Sequence, residues 1–203
     1  MTQPGTKQLG RLHWFEPQEL DEAQRALYDR IVGRPRLQGA SAPALTDESG
    51  RLIGPLNAML LNPALGAAEL ELGTAARFNT RLTARAREIA ILEVAALRRC
   101  AFEWCAHSAV GRMAGLTDAE LAAICSGAPA PTLDAAEALV RELVGTLLRE
   151  RDLDDATFAR ATGTLGEGSL RDLVAIVNYY DAVALSIAVW RPPLRPGDTS
   201  PFG

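Results

Sequence analysis

The stretch CAFEWCAHSAVGRMAGLTDAEL, residues 100–121, gathers two cysteines, a glutamate, a tryptophan and a histidine into its first eight residues. Elsewhere the chain has one more histidine, His13, and one more cysteine, Cys125. On a helix, Cys100, Glu103 and His107 fall at i, i+3 and i+7, on one face. Glu103 and His107, four residues apart, come close enough to hydrogen-bond. A carboxylate beside an imidazole fixes its tautomer and stabilises the imidazolium. The pair also puts groups of different intrinsic pKa in one place, as proton transfer requires. The preceding segment EIAILEVAAL carries Glu88 and Glu93. Glu88 stands at the edge of an apolar run, where burial raises a carboxyl's pKa and makes it a usable general base.

Plainer readings apply to the same residues. A Glu/His pair one turn apart is often a solvated helix face. A cysteine in an alanine-rich helix is often a small core residue. Phe102 and Trp104 suit a core, and Trp104 is also the candidate substrate contact. No His-x-x-x-His or Cys-x-x-Cys spacing is present, so no metal is expected. The chain has no glycine-rich phosphate loop and no Gly-x-Ser-x-Gly elbow, and no cofactor is expected.

The elements that must position these residues read as helices. Apolar spacing is helical nearly everywhere, and no segment alternates β-branched residues with period two. The fold class is all-α. A first helix is expected from Pro17 to about Val32, stopped by GRPR, with a Gly/Pro/Ser-rich loop up to Gly54. PLNAMLLN reads as a short helix. Asn62 and Thr83 are expected caps for the next two helices. The helix with the motif should end at Gly115 with a left-handed cap, and LTDAELAAICSG at Gly127. An amphipathic helix follows over TLDAAEALVRELVGTLLRE, then a short one capped by Asp154. The last helix is expected to be capped by Ser169 and to reach Trp190. The tail 191–203 holds four prolines and two glycines, so it is expected as an extended arm. The first ten residues are polar and expected to be flexible.

At 203 residues the chain suits a single domain spanning its whole length. A net charge of −4 gives no reason to expect nucleic-acid binding. LVAIVNYYDAVALSIAVW is interrupted by Asn178 and Asp181 and reads as a buried helix, not a membrane span. It is apolar around most of its circumference, so a neighbouring subunit is one expected partner. The N-terminus has no apolar stretch of the kind a secretory signal needs, and three cysteines is an odd number. A cytoplasmic protein with free thiols is expected.

The pattern REIAILEVAAL…CAFEWCAHSAVGRMAGLTDAEL resembles the carboxymuconolactone decarboxylase family, which includes the alkylhydroperoxidase D-like proteins. GPLNAMLLNP and LVAIVNYYDAVAL extend the resemblance over most of the chain. It implies an all-helical alkylhydroperoxidase D-like bundle that assembles as a dimer, trimer or hexamer. The peroxidase branch carries Cys-x-x-Cys followed by x-x-x-His. With His107 on the family histidine, Cys100 falls on the first cysteine and Glu103 where the second should be. Glu88 falls on the glutamate of the proton relay. Cys105 comes two residues late and points elsewhere on the helix, so the redox pair is missing. The branch without that pair implies a cofactor-independent lyase or isomerase acting on a small organic acid or lactone, with His107, Glu88, Glu103 and Cys100 as catalytic candidates. A thiol-dependent antioxidant protein and a non-catalytic oligomeric binding protein are the alternatives.

Overall fold

The computed structural model describes residues 10–33, 44–130 and 132–203. Among them are nine α-helices: α1 (Glu22–Val32), α2 (Pro55–Met59), α3 (Pro63–Phe78), α4 (Ala84–Leu97), α5 (Ala101–Met113), α6 (Asp118–Ser126), α7 (Ala135–Glu150), α8 (Asp155–Leu165) and α9 (Glu167–Trp190). The all-α expectation holds. Residues 1–9 and the first part of the expected loop, up to residue 43, lie outside the described residues.

Most boundaries follow from local chemistry. Asn62, Thr83 and Asp154 each accept a backbone N–H at the start of their helices, as the sequence indicated. After α5, the Gly115 N–H donates to Arg112 and the Leu116 N–H to Gly111, closing a left-handed cap at Gly115. Two starts differ from expectation. Pro17 opens only a 3-10 turn, and α1 begins after Asp21, which exchanges hydrogen bonds with Gln24 in a capping box. Ser169 lies inside α9, not at its cap. Gly166, at φ 82°, ends α8 and starts α9 at once, so no side-chain cap is made there.

Helix α4 is the centre of the molecule. It packs on α5, α6, α7 and α9, and residues 88–95 are all buried. Alanines on this helix let its neighbours approach from every side. Its two glutamates are therefore interior groups. Glu93 is held by Arg141 of α7, whose Nε donates to Oε2 at 2.7 Å while its other nitrogens donate to the carbonyls of Ala123 and Ala128. Arg85, at the start of α4, bonds Glu120 of α6 and Glu137 of α7 and reaches the Gly115 carbonyl.

The tail is not a free arm. Phe202 is only 9% exposed and packs edge-on against Trp104. Arg99 covers the Phe202 ring and donates to its carbonyl. Proline prevents a helix here but does not prevent an apolar end group from docking, and burial of one aromatic ring is enough to bring the segment back. Helix α9 is long and apolar enough to cross a membrane by length and composition alone. Its inner face, including Leu173, Ile176 and Tyr180, is buried in the bundle.

Candidate functional site

Helices α4 and α5 run antiparallel, joined by a tight reversal. Arg99 takes a left-handed conformation at φ 50°, and the Cys100 N–H donates to the Ala95 carbonyl. Counting back along α4 and forward along α5 from that junction, Glu88 and His107 each lie roughly two to three turns away. They meet across the interface: His107 Nδ1 is 2.8 Å from Glu88 Oε2. A carboxylate has no proton to give, so Nδ1 is the protonated nitrogen and Nε2 is the one able to accept. The second oxygen of Glu88 accepts from Arg87 Nε at 3.4 Å. The imidazole also stands edge-on to the ring of Tyr180 at 5.0 Å. Glu88 is 2% exposed, so the pair is interior and its geometry is fixed by packing.

The pair opens onto a cavity of about 530 Å³. Its walls are mainly apolar, built by Ile31 of α1, Leu56 and Met59 of α2, Leu70 of α3, Val110 of α5 and Val183 of α9. Ile53 and Phe102 close one side. Phe102 can lie where it does because residue 54 is glycine. A Cβ there would stand 2.1 Å from the ring, and the backbone has φ 64°. Polar groups are few: Glu88, His107 and Glu103, the guanidiniums of Arg77, Arg87 and Arg195, and the hydroxyls of Thr74, Tyr179 and Tyr180. Arg195 comes from the tail and lies over the Phe102 ring at 4.5 Å.

Residues 63–144 match the model of the carboxymuconolactone decarboxylase family. The resemblance read from the sequence holds over this segment. It contains Glu88, Cys100, Glu103 and His107. No curated protein sequence matches the chain. Among solved structures, a peroxidase-related protein from Silicibacter sp. TM1040 superposes with a TM-score of 0.72 at 13% identity, covering 100% of both chains. An alkylhydroperoxidase AhpD core, a peroxidase-related protein from Ralstonia eutropha JMP134, gives 0.70 at 15% identity, covering 91% of this chain and 93% of that one. These likenesses are ones of fold, and they agree with the alkylhydroperoxidase D-like bundle expected from the motif.

The individual candidates are distributed differently from the one-face reading. Glu103 does not bond His107, because Glu88 holds the imidazole from the neighbouring helix. Instead Glu103 is 4% exposed and both its oxygens lack a hydrogen-bond partner. Burial, reinforced by the charge of Asp181, pushes its carboxyl up to about 8, although the nearby Cys100 thiol works against the shift. At neutral pH it is a neutral acid. Cys100 is the cap residue of α5, not part of the helix, and packs with Ile53, Phe102 and Ala184 behind the cavity wall, which it does not itself line. Burial and the neighbouring Glu103 push its thiol up to about 12. Trp104 does not reach the cavity. It points to the opposite side of α5, into the main core and against Phe202, which corrects its expected role as a substrate contact. Among the described residues, no cluster of three or more His, Cys, Asp or Glu could hold a metal ion. No local pattern pointed to Arg195 or Tyr180 as site residues, since both reach the site only through the docking of α9 and the tail.

Proposed function

We propose that the cavity is the active site of a cofactor-independent lyase or isomerase that moves a proton on a small organic acid or lactone. The observation that carries this is the buried Glu88–His107 pair at 2.8 Å on the wall of an apolar cavity. His107 Nε2 takes a proton from a carbon next to a carbonyl, leaving an enolate. The imidazolium that results is stabilised by the Glu88 carboxylate. Return of the proton to a different carbon completes an isomerisation. Where the substrate enters as a carboxylic acid, Nε2 takes the acid proton, carbon dioxide leaves, and the imidazolium gives that same proton to the carbon of the enolate left behind. Apolar walls exclude water and strengthen each of these electrostatic contacts.

The thiol-dependent alternative is less well supported. A thiol pushed up to about 12 carries almost no thiolate at neutral pH. Cys105 faces the tail, with its Sγ 3.4 Å from the Thr199 carbonyl. The deciding experiment incubates the protein with a panel of unsaturated acids and lactones in deuterated water. Deuterium incorporation or carbon dioxide release that disappears in His107→Ala supports the reading. Turnover of a peroxide with an external thiol, and no exchange with any acid, would replace it.

A further inference from the structure

Three guanidiniums stand on the cavity wall, and two of them are already engaged. Arg77 Nε donates to the Gly73 carbonyl at 3.0 Å, and its guanidinium lies against the Phe78 ring. Arg195 lies over the Phe102 ring with the Asp198 carboxylate beside it. Arg87 differs. Its Nε reaches Glu88 Oε1 at 3.4 Å, and its terminal nitrogens have no hydrogen-bond partner among the described residues. The side chain lines the cavity and is 18% exposed, so most of it is shielded from bulk water. A guanidinium carries five N–H donors in a fixed fork, and one bond to Glu88 leaves the end-on pair for a ligand. Arg87 also stands next to the chemistry. Glu88 accepts from Arg87 on one oxygen and meets His107 Nδ1 at 2.8 Å with the other. One carboxylate touching both confines Arg87 Nε and His107 Nδ1 to within roughly 9 Å, the span of a single small ligand. The charges do not cancel. Burial keeps Glu103 neutral and Asp198 offsets Arg195, so Arg77 and Arg87 face Glu88 alone, in a chain whose net charge is −4.

We propose that Arg87 determines the specificity of this cavity: its terminal nitrogens hold the carboxylate of a small monoanionic substrate whose reacting carbon is presented to His107. The assignment deepens the reading of the cavity as a proton-transfer site and rests on it. Between an acid and a lactone it selects the acid. A carboxylate accepts two parallel charge-assisted bonds from the end of a guanidinium, whereas the carbonyl of a lactone or amide is a single neutral acceptor. A dianion would exceed the one positive charge in excess and leave its second carboxylate among hydrocarbon walls. The substrate is therefore an acid with one charge and an apolar body that fills the rest of the cavity. The short path from Arg87 through Glu88 to His107 keeps the reacting carbon a few bonds from that charge. A carboxylate held against a guanidinium is stabilised as an anion, so it is the handle and not the group lost. A proton shift within the body of the ligand is the favoured outcome.

Calorimetric titration with 3-phenylpropanoate and with its uncharged amide tests this on the full-length protein. The acid is expected to bind at least ~10-fold more tightly than the amide, as charge-assisted bonds require. Arg87→Met keeps an apolar stem and removes the fork. It should weaken the acid by ~10-fold or more and leave the amide within ~3-fold. No preference for the acid in the wild type, or acid binding unchanged in Arg87→Met, overturns the proposal. Equal losses for acid and amide overturn it as well, because Arg87 would then act only through Glu88 on the shape of the site. Should Arg87→Met not fold, Arg87→Lys decides. It keeps the charge but not the paired donors, and should weaken the acid while sparing the amide. The two readings fail separately. Arg87-dependent binding of the acid with no proton exchange on any acid would defeat the catalytic reading and leave this one standing. His107-dependent exchange with a KM that ignores Arg87 would do the reverse.

Discussion

Glu88 on α4 and His107 on α5 are joined by a 2.8 Å contact between a carboxylate oxygen and Nδ1, across the helix interface and not along one helix. The contact turns the free Nε2 into the proton acceptor, and the burial of Glu88 keeps water from competing for it. Glu103, one turn before His107, is left as a neutral acid.

The ranking of three substitutions follows from this geometry. His107→Ala should abolish turnover of the true substrate while the fold is retained. Glu88→Gln should lower kcat by ~10²–10⁴-fold, as for loss of a positioned acid or base partner. Cys100→Ser should be far milder. Steady-state kinetics on the three proteins gives the order, and a dead Cys100→Ser beside an active His107→Ala would make the thiol the reactive group.

Glu103 makes stability depend on pH. Its carboxyl is held up to about 8 in the folded protein, against about 4.3 in an unfolded chain. The folded state therefore binds the proton more tightly. The stabilisation is complete below about pH 4.3 and is lost as pH rises toward 8, at up to about 1.4 kcal/mol per pH unit. Urea titrations from pH 5 to 8 should show this fall in the wild type. Glu103→Gln has no such proton, and its profile should be flatter over that range. Parallel profiles for the two proteins would contradict the assignment.

The Arg85 cluster is structural. Arg85 pins α4 to Glu120 and Glu137, whose side chains are 4% and 9% exposed. Arg85→Met leaves two buried carboxylates without their partner. A loss of roughly 2–3 kcal/mol is expected, between the values for exposed and fully buried pairs. By contrast, breaking the surface pair Arg160–Glu142 should leave the unfolding midpoint almost unmoved. Burial alone would raise the pKa of Glu120, but hydrogen bonds from Thr117, Arg85 and Thr132 hold it down to about 2. Its contribution is present above about pH 4.3 and is lost as pH falls toward 2. Acid unfolding should therefore begin earlier, at higher pH, in Arg85→Met.

No disulfide should form between Cys100 and Cys105. One thiol is buried beside Ile53 and the other faces the tail near Thr199. Peptide mass spectrometry after peroxide treatment should find no loss of two hydrogens across this segment. Finding it would revive the thiol reading.

Self-association is expected through α9 and α3. Leu185 is 66% exposed, and Ala182 and Val189 stand on the same exposed side of α9. Leu65 and Leu72 form a second exposed apolar stripe on α3, a helix packed against α9. Sedimentation at micromolar concentration should give a species larger than a monomer, and Leu185→Asp should shift it toward the monomer. A monomeric wild type would remove this interface.

Much of the protein was readable from local chemistry. Caps such as Asn62, Thr83 and Asp154, and the glycine stop at Gly115, act within a few residues of themselves, so they mark helix ends without any knowledge of the fold. The motif that links Glu88 to His107 was also visible, because the two helices are joined by so short a reversal. Which carboxylate holds the imidazole stayed open between Glu88 and Glu103. Spacing along one helix favoured Glu103, but a partner on the next helix depends on how α4 and α5 are rotated against each other, and core packing sets that rotation. The same holds for Trp104 and Arg195. Trp104 faces the main core among the packed helices, where Phe202 returns from the tail to meet it. Arg195 reaches the cavity because that tail is docked at both ends of its path, on Phe102 and on Trp104. A proline-rich segment has no helical period to read, so only the burial of its side chains decides where it lies.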